Sequence, residues 1–547
     1  MPSPMRKLPG KDRVFVIAPY TSILDQNAEV IRDILDPGGK NGQLILEHHS
    51  NLEKGEKTEH FDDSSQTWNV PIIITTMVHF LEALFGSGTQ KIRRMHQLAN
   101  SVIIFDEVQT LPVSCTYLFN WAMQYLHQNA NVSILLCTAT QPGLNKLKPE
   151  YALPLHAENE IISDIIQHFD DLKRVELIDK TRGITEEGEG NSADTKAWTL
   201  AEVAGFIENL NDKSILTVVN TKSQAQKLYK TLTKLHPDWQ VIHLSTNMCP
   251  AHRRRDIKRL REEYLKDKTK KCVCISTRLI EAGVDIDFDG AIRFLAGFDS
   301  IIQTAGRCNR NGELKDSHGN PINGKTWIVN LAKEEENIDK LPELIHGQKI
   351  MEIILRRFYA NKERYNNNLL HPNLISDYFE IYYQQMPDSL LKYKVLKEKI
   401  KRDDTILDLL SDNSKSEEEY NQAAIQKYGD QAKPLTQFRQ SFESAWKEFE
   451  VISQDTIGVI VPFKEGDEII KELYSQPDLR RCVELLQEAQ QFSVNVFPNR
   501  INYMLEKNII NKVPLKNDLE IYTLKDQHYD QNMGLSDEEG RMSSLLA

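Results

Sequence analysis

The chain has 547 residues, of which 40% are hydrophobic, and a formal net charge of −12. That length suits roughly three to four domains of about 150 residues each. The longest apolar runs, such as residues 14–17 and 102–105, are far too short to span a bilayer, and no signal-type apolar stretch follows the charged first residues. Seven cysteines without a CxxC pair suit neither a disulfide framework nor a zinc site, so a reducing cytoplasm is expected, and Cys272 and Cys274 read as core residues on one face of a strand. Net acidity does not exclude nucleic acid, because the field within a groove matters more than the sum.

In chain order, short apolar runs at residues 14–17, 44–46, 72–74, 102–105 and 134–137 alternate with helical stretches. After an acidic, glycine-containing break at 186–191, a second set follows at 215–219, 241–244, 272–275, 291–295 and 327–331. Continuous rather than alternating apolarity marks strands buried on both faces, hence parallel sheets covered by helices. The prediction is two consecutive α/β domains, residues 1–170 and 171–335. Residues 336–450 read as a helical linker region with a polar break at 411–418. A small α+β domain over 451–534 follows, with a strand-like run at 457–463, a turn at Glu465-Gly466 and a helix to Tyr474. The polar tail 535–547 is expected to be disordered. A basic run from Arg253 to Lys271 reads as a solvated helix face.

Ligands in open α/β sheets bind at the carboxyl ends of the strands, and the polar clusters of this chain follow its strands. Residues 102–105 deliver Asp106-Glu107-Val108-Gln109, residues 133–137 deliver Thr138-Ala139-Thr140, and residues 272–275 deliver Ser276-Thr277-Arg278. Glu281-Ala-Gly283-Val-Asp285 comes next, and a helix is then predicted to carry Gln303-x-x-Gly306-Arg307-x-x-Arg310. A paired Asp-Glu ending a buried strand can bind Mg²⁺ through Asp106 and orient an attacking water through Glu107. Thr138 and Thr140 offer hydroxyls to that turn. Arg307 and Arg310, three apart on a regular helix, would share a face and suit a γ-phosphate, an arginine-finger role worth about 10³–10⁵ in rate.

Together these segments resemble motifs II, III, V and VI of superfamily 2 helicases. Finer matches point to the type I CRISPR-associated helicase-nuclease family: Ala18-Pro-Tyr-Thr-Ser-Ile23, Leu46-Glu-His-His-Ser-Asn51, the segment 104–112 (IFDEVQTLP), the segment 300–312 (SIIQTAGRCNRNG) and Phe492-Ser-Val-Asn-Val496. The resemblance implies two tandem RecA-like domains. It also implies an ATP- and Mg²⁺-dependent DNA helicase of antiviral defence, with Gly283 and Asp285 at the nucleotide. A track for single-stranded DNA with 3′ to 5′ polarity would run over Thr21, Ser22, Thr75, Thr76, Asn220, Thr221, Thr277 and Arg278. Such contacts position a strand without reading its sequence, though hydroxyls at these places also serve as ordinary helix caps. A guide-RNA surveillance complex would recruit the motor.

A superfamily 2 motor needs G-x-x-x-x-G-K-[ST] ahead of its first strand, because backbone amides and the lysine cradle the β- and γ-phosphates. Gly10-Lys11 is followed by Asp12, and Met5 stands where the first glycine belongs. Gly319-Asn-Pro-Ile-Asn-Gly324-Lys325-Thr326 satisfies the pattern but precedes an apolar run, so it reads as a loop. No His-Asp dipeptide occurs, so the family's HD nuclease is not expected in these residues. The sequence is thus expected to be a motor lacking its Walker A lysine, with a separately encoded HD nuclease or a missing N-terminal part as partner. The alternative is a motor remnant that binds DNA or a partner without hydrolysis.

Overall fold

The computed structural model describes residues 10–19, 21–35, 44–48, 67–138, 143–182, 184–185, 188–189, 196–281, 284–395, 403–433, 439–451, 456–514 and 520–536. The chain divides into two compact units, Met1–Ser163 with Phe379–Ser453, and Asp164–Tyr378 with Gln454–Ala547.

In the first unit, β1 (Arg13–Ala18), β2 (Ile45–His48), β3 (Ile72–Thr76), β4 (Ser101–Asp106) and β5 (Ser133–Cys137) form a five-stranded sheet in the order β2-β3-β1-β4-β5, parallel throughout. Helices α1 (Thr21–Leu35), α2 (Met77–Phe85) and α3 (Thr116–Asn129) supply the crossovers that parallel pairing requires. The core locks through edge-on rings, Phe80 to Phe105 at 5.1 Å and Phe105 to Phe119 at 5.0 Å between centroids. Each fully buried Phe, Ile or Leu contributes roughly 1.5–3 kcal/mol. From the later part of the chain, Met386, Ile406, Ala445 and Phe449 join the same core. Helix Ser414–Tyr428 begins inside the stretch expected to be a polar break; Ala424 is its buried residue, and Tyr420, Ile425 and Tyr428 are exposed.

The second unit holds a six-stranded parallel sheet. Its strands are β6 (Val175–Asp179), β7 (Ser214–Val218), β8 (Gln240–Leu244), β9 (Cys272–Ser276), β10 (Gly290–Phe294) and β11 (Gly324–Val329), in the order β8-β9-β7-β10-β11-β6. Cys272 and Cys274 are buried in its core. Around it lie α4 (Leu200–Asn209), α5 (Lys222–Leu235), α6 (Pro250–Arg259), α7 (Phe298–Ala305) and α8 (Pro342–Ala360). Thr199 with Glu202 and Thr221 with Gln224 form capping boxes that start α4 and α5.

A smaller sheet completes the second unit. β12 (Ile457–Ile460) pairs antiparallel with β13 (Ser493–Val496) and parallel with β15 (Tyr522–Leu524), beside which lies β14 (Ile510–Lys512). Helices α9 (Glu465–Tyr474), α10 (Leu479–Ala489) and α11 (Pro498–Glu506) accompany these strands. Leu535, assigned above to a disordered tail, is buried and pairs with Tyr529; residues 537–547 lie outside the described residues. Among the described residues no helix is long and apolar enough to cross a membrane.

Candidate functional site

The register of the first sheet sets Asp106 opposite Cys137, so Glu107 and Thr138 leave adjacent strands side by side. The chain then turns sharply: Glu107 lies at φ 53°, ψ 48°, a left-handed conformation that costs a non-glycine residue about 1–2 kcal/mol. Its carbonyl accepts hydrogen bonds from the Thr110 backbone N–H at 2.9 Å and from Thr110 Oγ1 at 2.8 Å, which fix the turn. The Gln109 amide bridges the two strands: Nε2 donates to Glu107 Oε2, and Oε1 accepts from Thr138 Oγ1. Burial first, and the neighbouring Glu107 second, hold the Asp106 carboxyl above its usual range, opposed by a hydrogen bond from the Glu107 backbone. A divalent cation would relieve both effects. Among the described residues no group of three or more His, Cys, Asp and Glu could hold a metal ion. A strand-end carboxylate pair still fits Mg²⁺, which takes one or two carboxylates plus substrate phosphates.

The other candidates of this unit sit at the same strand ends. Thr21 and Ser22 form the first turn of α1. Thr75 Oγ1 donates to the His48 carbonyl at 2.8 Å, and Thr76 caps α2 by accepting from the His79 N–H. Thr140 lies outside the described residues.

In the second unit, Val218 pairs with Ser276 and with Arg293, which brings three strand ends to one level. Sequence reasoning missed the residue that joins them. Arg293, fully buried, donates from NH1 to Asn220 Oδ1 at 2.6 Å and to the Phe294 carbonyl at 2.8 Å, and from NH2 to Ser300 Oγ at 2.7 Å. Its Nε lies 3.1 Å from Glu281 Oε1, which also accepts from Ser300 Oγ. Burial pulls the Arg293 guanidinium below its ordinary value, and Glu281 opposes that. The legible signal was a charged residue inside the otherwise apolar run Gly-Ala-Ile-Arg-Phe.

Around this network stand the remaining candidates. Asn220 Nδ2 donates to the Leu295 carbonyl at 2.9 Å and to Glu336 Oε1 at 2.7 Å, while Thr221 caps α5. Thr277 is half-buried, and the exposed Arg278 pairs with Glu281 at 3.3 Å and Asp299 at 3.6 Å. Gln303 is half-buried on α7. The helix expected to carry both arginines ends at Ala305, and Asn309 turns left-handed at φ 47°. Arg307 and Arg310 therefore do not share a helix face. Arg307 is buried and donates to the Ile280 and Glu281 carbonyls, at 3.3 and 2.9 Å. Arg310 is exposed and pairs with Asp285 at 3.2 Å. The bridge between Phe288 and Cys308 accounts for the change, because it pulls the chain straight after one tight turn. Gly283 lies outside the described residues. Gly324-Lys325-Thr326 opens β11 and no helix, as its context implied.

Two families match by sequence: DEAD/DEAH box helicase over residues 3–147, and the C-terminal part of CRISPR-associated nuclease/helicase Cas3 over residues 211–313. The CRISPR-associated nuclease/helicase Cas3 of Methanothermobacter thermautotrophicus is 25% identical over 362 residues, covering 65% of this chain and 40% of that protein. The Haloferax volcanii protein of the same name is 22% identical over 420 residues, covering 60% of this chain and 44% of its own length. This chain therefore aligns with less than half of either relative. Crystal structures of T. fusca Cas3 with ADP and with AMPPNP superpose with a TM-score of 0.59 at 15% and 13% identity. They cover 96% and 97% of this chain and 65% and 64% of theirs, and they establish the likeness of fold.

Proposed function

We propose that this chain, which is similar to Cas3 helicases, is the motor of an ATP-dependent DNA helicase of a type I CRISPR defence system, moving 3′ to 5′ on single-stranded DNA. The observation that carries this reading is the turn after β4, where Asp106 and Glu107 are held at a strand end and tied through Gln109 to Thr138. Asp106 would hold the Mg²⁺ of bound ATP, a cation that neutralises phosphate charge; Glu107 would orient the attacking water and receive its proton. Because Gln109 contacts both Glu107 and Thr138, a shift of the segment after β5 would be felt at the catalytic carboxylate. Gln303, Arg307 and Arg310, with Gly283 and Asp285, would serve the nucleotide, Arg307 by positioning the segment around Glu281. Thr21, Ser22, Thr75, Thr76, Asn220, Thr221, Thr277 and Arg278 would line the DNA track, largely through strand-end and helix-end backbone N–H groups. A guide-RNA surveillance complex and an HD nuclease are the proposed partners.

A second reading is a protein that holds DNA or a partner without hydrolysis. One observation favours it: the stretch that satisfies the phosphate-cradling pattern, Gly319 to Thr326, leads into a strand. ATP turnover by the full chain, with and without single-stranded DNA, separates the two. DNA-stimulated turnover abolished by Glu107→Gln supports the motor; salt-sensitive DNA binding with no turnover supports the second reading. Lys325→Ala is expected to leave nucleotide affinity unchanged.

A further inference from the structure

Helix α8 meets the strand ends of the second parallel sheet with two adjacent residues, Gly347 and Gln348. A glycine inside a helix costs about 1 kcal/mol relative to alanine, so its place in α8 calls for a close approach. That approach is to Gly297, the residue before the first turn of α7: a Cβ on Gly347 would stand 3.0 Å from both the Cα and the backbone nitrogen of Gly297. Main chain cannot swing aside there as the end of a long side chain could. The next residue adds polar bonds. Gln348 Nε2 donates to the Leu295 carbonyl at 2.9 Å and to Glu336 Oε2 at 3.0 Å. A carbonyl and a carboxylate only accept, so the amide nitrogen has to face them. The Leu295 carbonyl, two residues before Gly297, also accepts from Asn220 Nδ2 at 2.9 Å. Glu336 Oε1 accepts from the same Asn220 Nδ2 at 2.7 Å and from Gln224 Nε2 at 3.4 Å, which ties the turn after β11 to the start of α5. The segment that leads from β10 into α7 is therefore gripped by α8 at Leu295 and at Gly297. Gln348 and Glu336 are half-buried at the rim of this arrangement, whereas Arg293 and Ser300 are buried inside it. Loss of the rim bonds shifts α7 without unfolding the domain.

We infer that Gln348 is a positioning residue for ATP hydrolysis: with Gly347 it sets where α7 begins, and so where Gln303 on that helix and Arg307 just beyond its end stand. Gln348 acts through the Leu295 carbonyl and not on the nucleotide itself. This rests on the motor reading and deepens it, by adding α8 to the elements that place the nucleotide-facing side chains. Because Gln348 serves as a donor alone, a lysine can take over its bonds, and a methionine of similar size cannot.

The experiment is steady-state ATP turnover by the full chain with Mg²⁺ and saturating oligo-dT, well below the thermal midpoint of every variant, comparing wild type, Gln348→Met, Gln348→Lys and Gly347→Ala. Gln348→Met is expected to lower kcat by about tenfold or more, since a misplacement near 1 Å at a reacting centre costs up to about a hundredfold. Its KM for ATP is expected to stay within about twofold, as befits groups that act in the transition state. Gln348→Lys is expected to restore most of kcat. Gly347→Ala, which pushes α8 off the backbone of Gly297, is expected to lower kcat in the same way. A merely structural glutamine would lower the thermal midpoint and leave kcat unchanged in this assay. If the wild type turns over ATP and Gln348→Met keeps its kcat, this inference alone falls. If Gln348→Lys is as slow as Gln348→Met, or if KM rises while kcat holds, the positioning role through the Leu295 carbonyl is overturned. A wild type with no turnover in the presence of DNA overturns the motor reading together with it.

Discussion

The two parallel-sheet domains treat their strand-end polar groups in opposite ways. In the first, Asp106, Glu107, Gln109 and Thr138 form a half-exposed relay on a strained turn, and the acid pair keeps oxygens available for a ligand. In the second, Glu281, Arg293 and Ser300 are buried and bonded to one another, with Asn220 and Arg307 fastened to the same knot. On the proposed reading the first cluster serves the chemistry, while the second fixes the geometry of the segments that carry Thr277, Arg278 and Gln303. Substitutions in the first should therefore change activity with little effect on stability, and substitutions in the second should do the reverse.

The largest expected effect is in the buried cluster. Arg293→Met takes from Glu281 its buried cationic partner and leaves only the exposed Arg278 beside it, which costs about 3–5 kcal/mol, read from denaturant unfolding. Adding Glu281→Gln should recover part of it, and a loss under about 1 kcal/mol would erase the contrast between the domains. Next comes Thr221→Ala, expected to cost about 1 kcal/mol by removing the α5 cap, with Thr221→Ser near neutral. In the open cluster Glu107→Gly should instead stabilise, by up to about 1 kcal/mol, because glycine accepts the left-handed turn, while any ATP turnover disappears. Asp106→Asn is the smallest. The folded carboxyl lies above the unfolded value of 3.8, so the native state holds more protons between the two values. Wild-type stability is thus expected to fall as pH rises through that window and to level off above it. Asp106→Asn should remove that fall and be slightly more stable at neutral pH, in thermal unfolding followed against pH.

The parallel strands of both large sheets were legible because continuous apolar runs have few other uses. β6 escaped, since Val-Glu-Leu-Ile-Asp mixes charge into an edge strand that pairs with β11 alone. The position of the strand-end motifs could be read because polar residue types gather where the buried apolar runs stop. What a strand-end hydroxyl does could not: Thr76 and Thr221 are caps, and a cap and a phosphate contact ask for the same residue types. The spacing of Gln303, Arg307 and Arg310 imitates a helix face. In the structure that helix ends at Ala305 with Gly306 as its cap, and the bridge between Phe288 and Cys308, which no local pattern encodes, takes the chain onward.

The most direct test of the account is the thermal midpoint of the full chain with Mg²⁺ and ATP, measured beside Asp106→Asn. A ligand that binds the native state alone raises the midpoint by mass action, by the equivalent of about 2.7 kcal/mol at a hundredfold excess over Kd. The expected result is a Mg²⁺-dependent rise in the wild type that Asp106→Asn loses. An equal rise in both proteins, or none in the wild type, would contradict the assignment of the turn after β4 as the metal-nucleotide site.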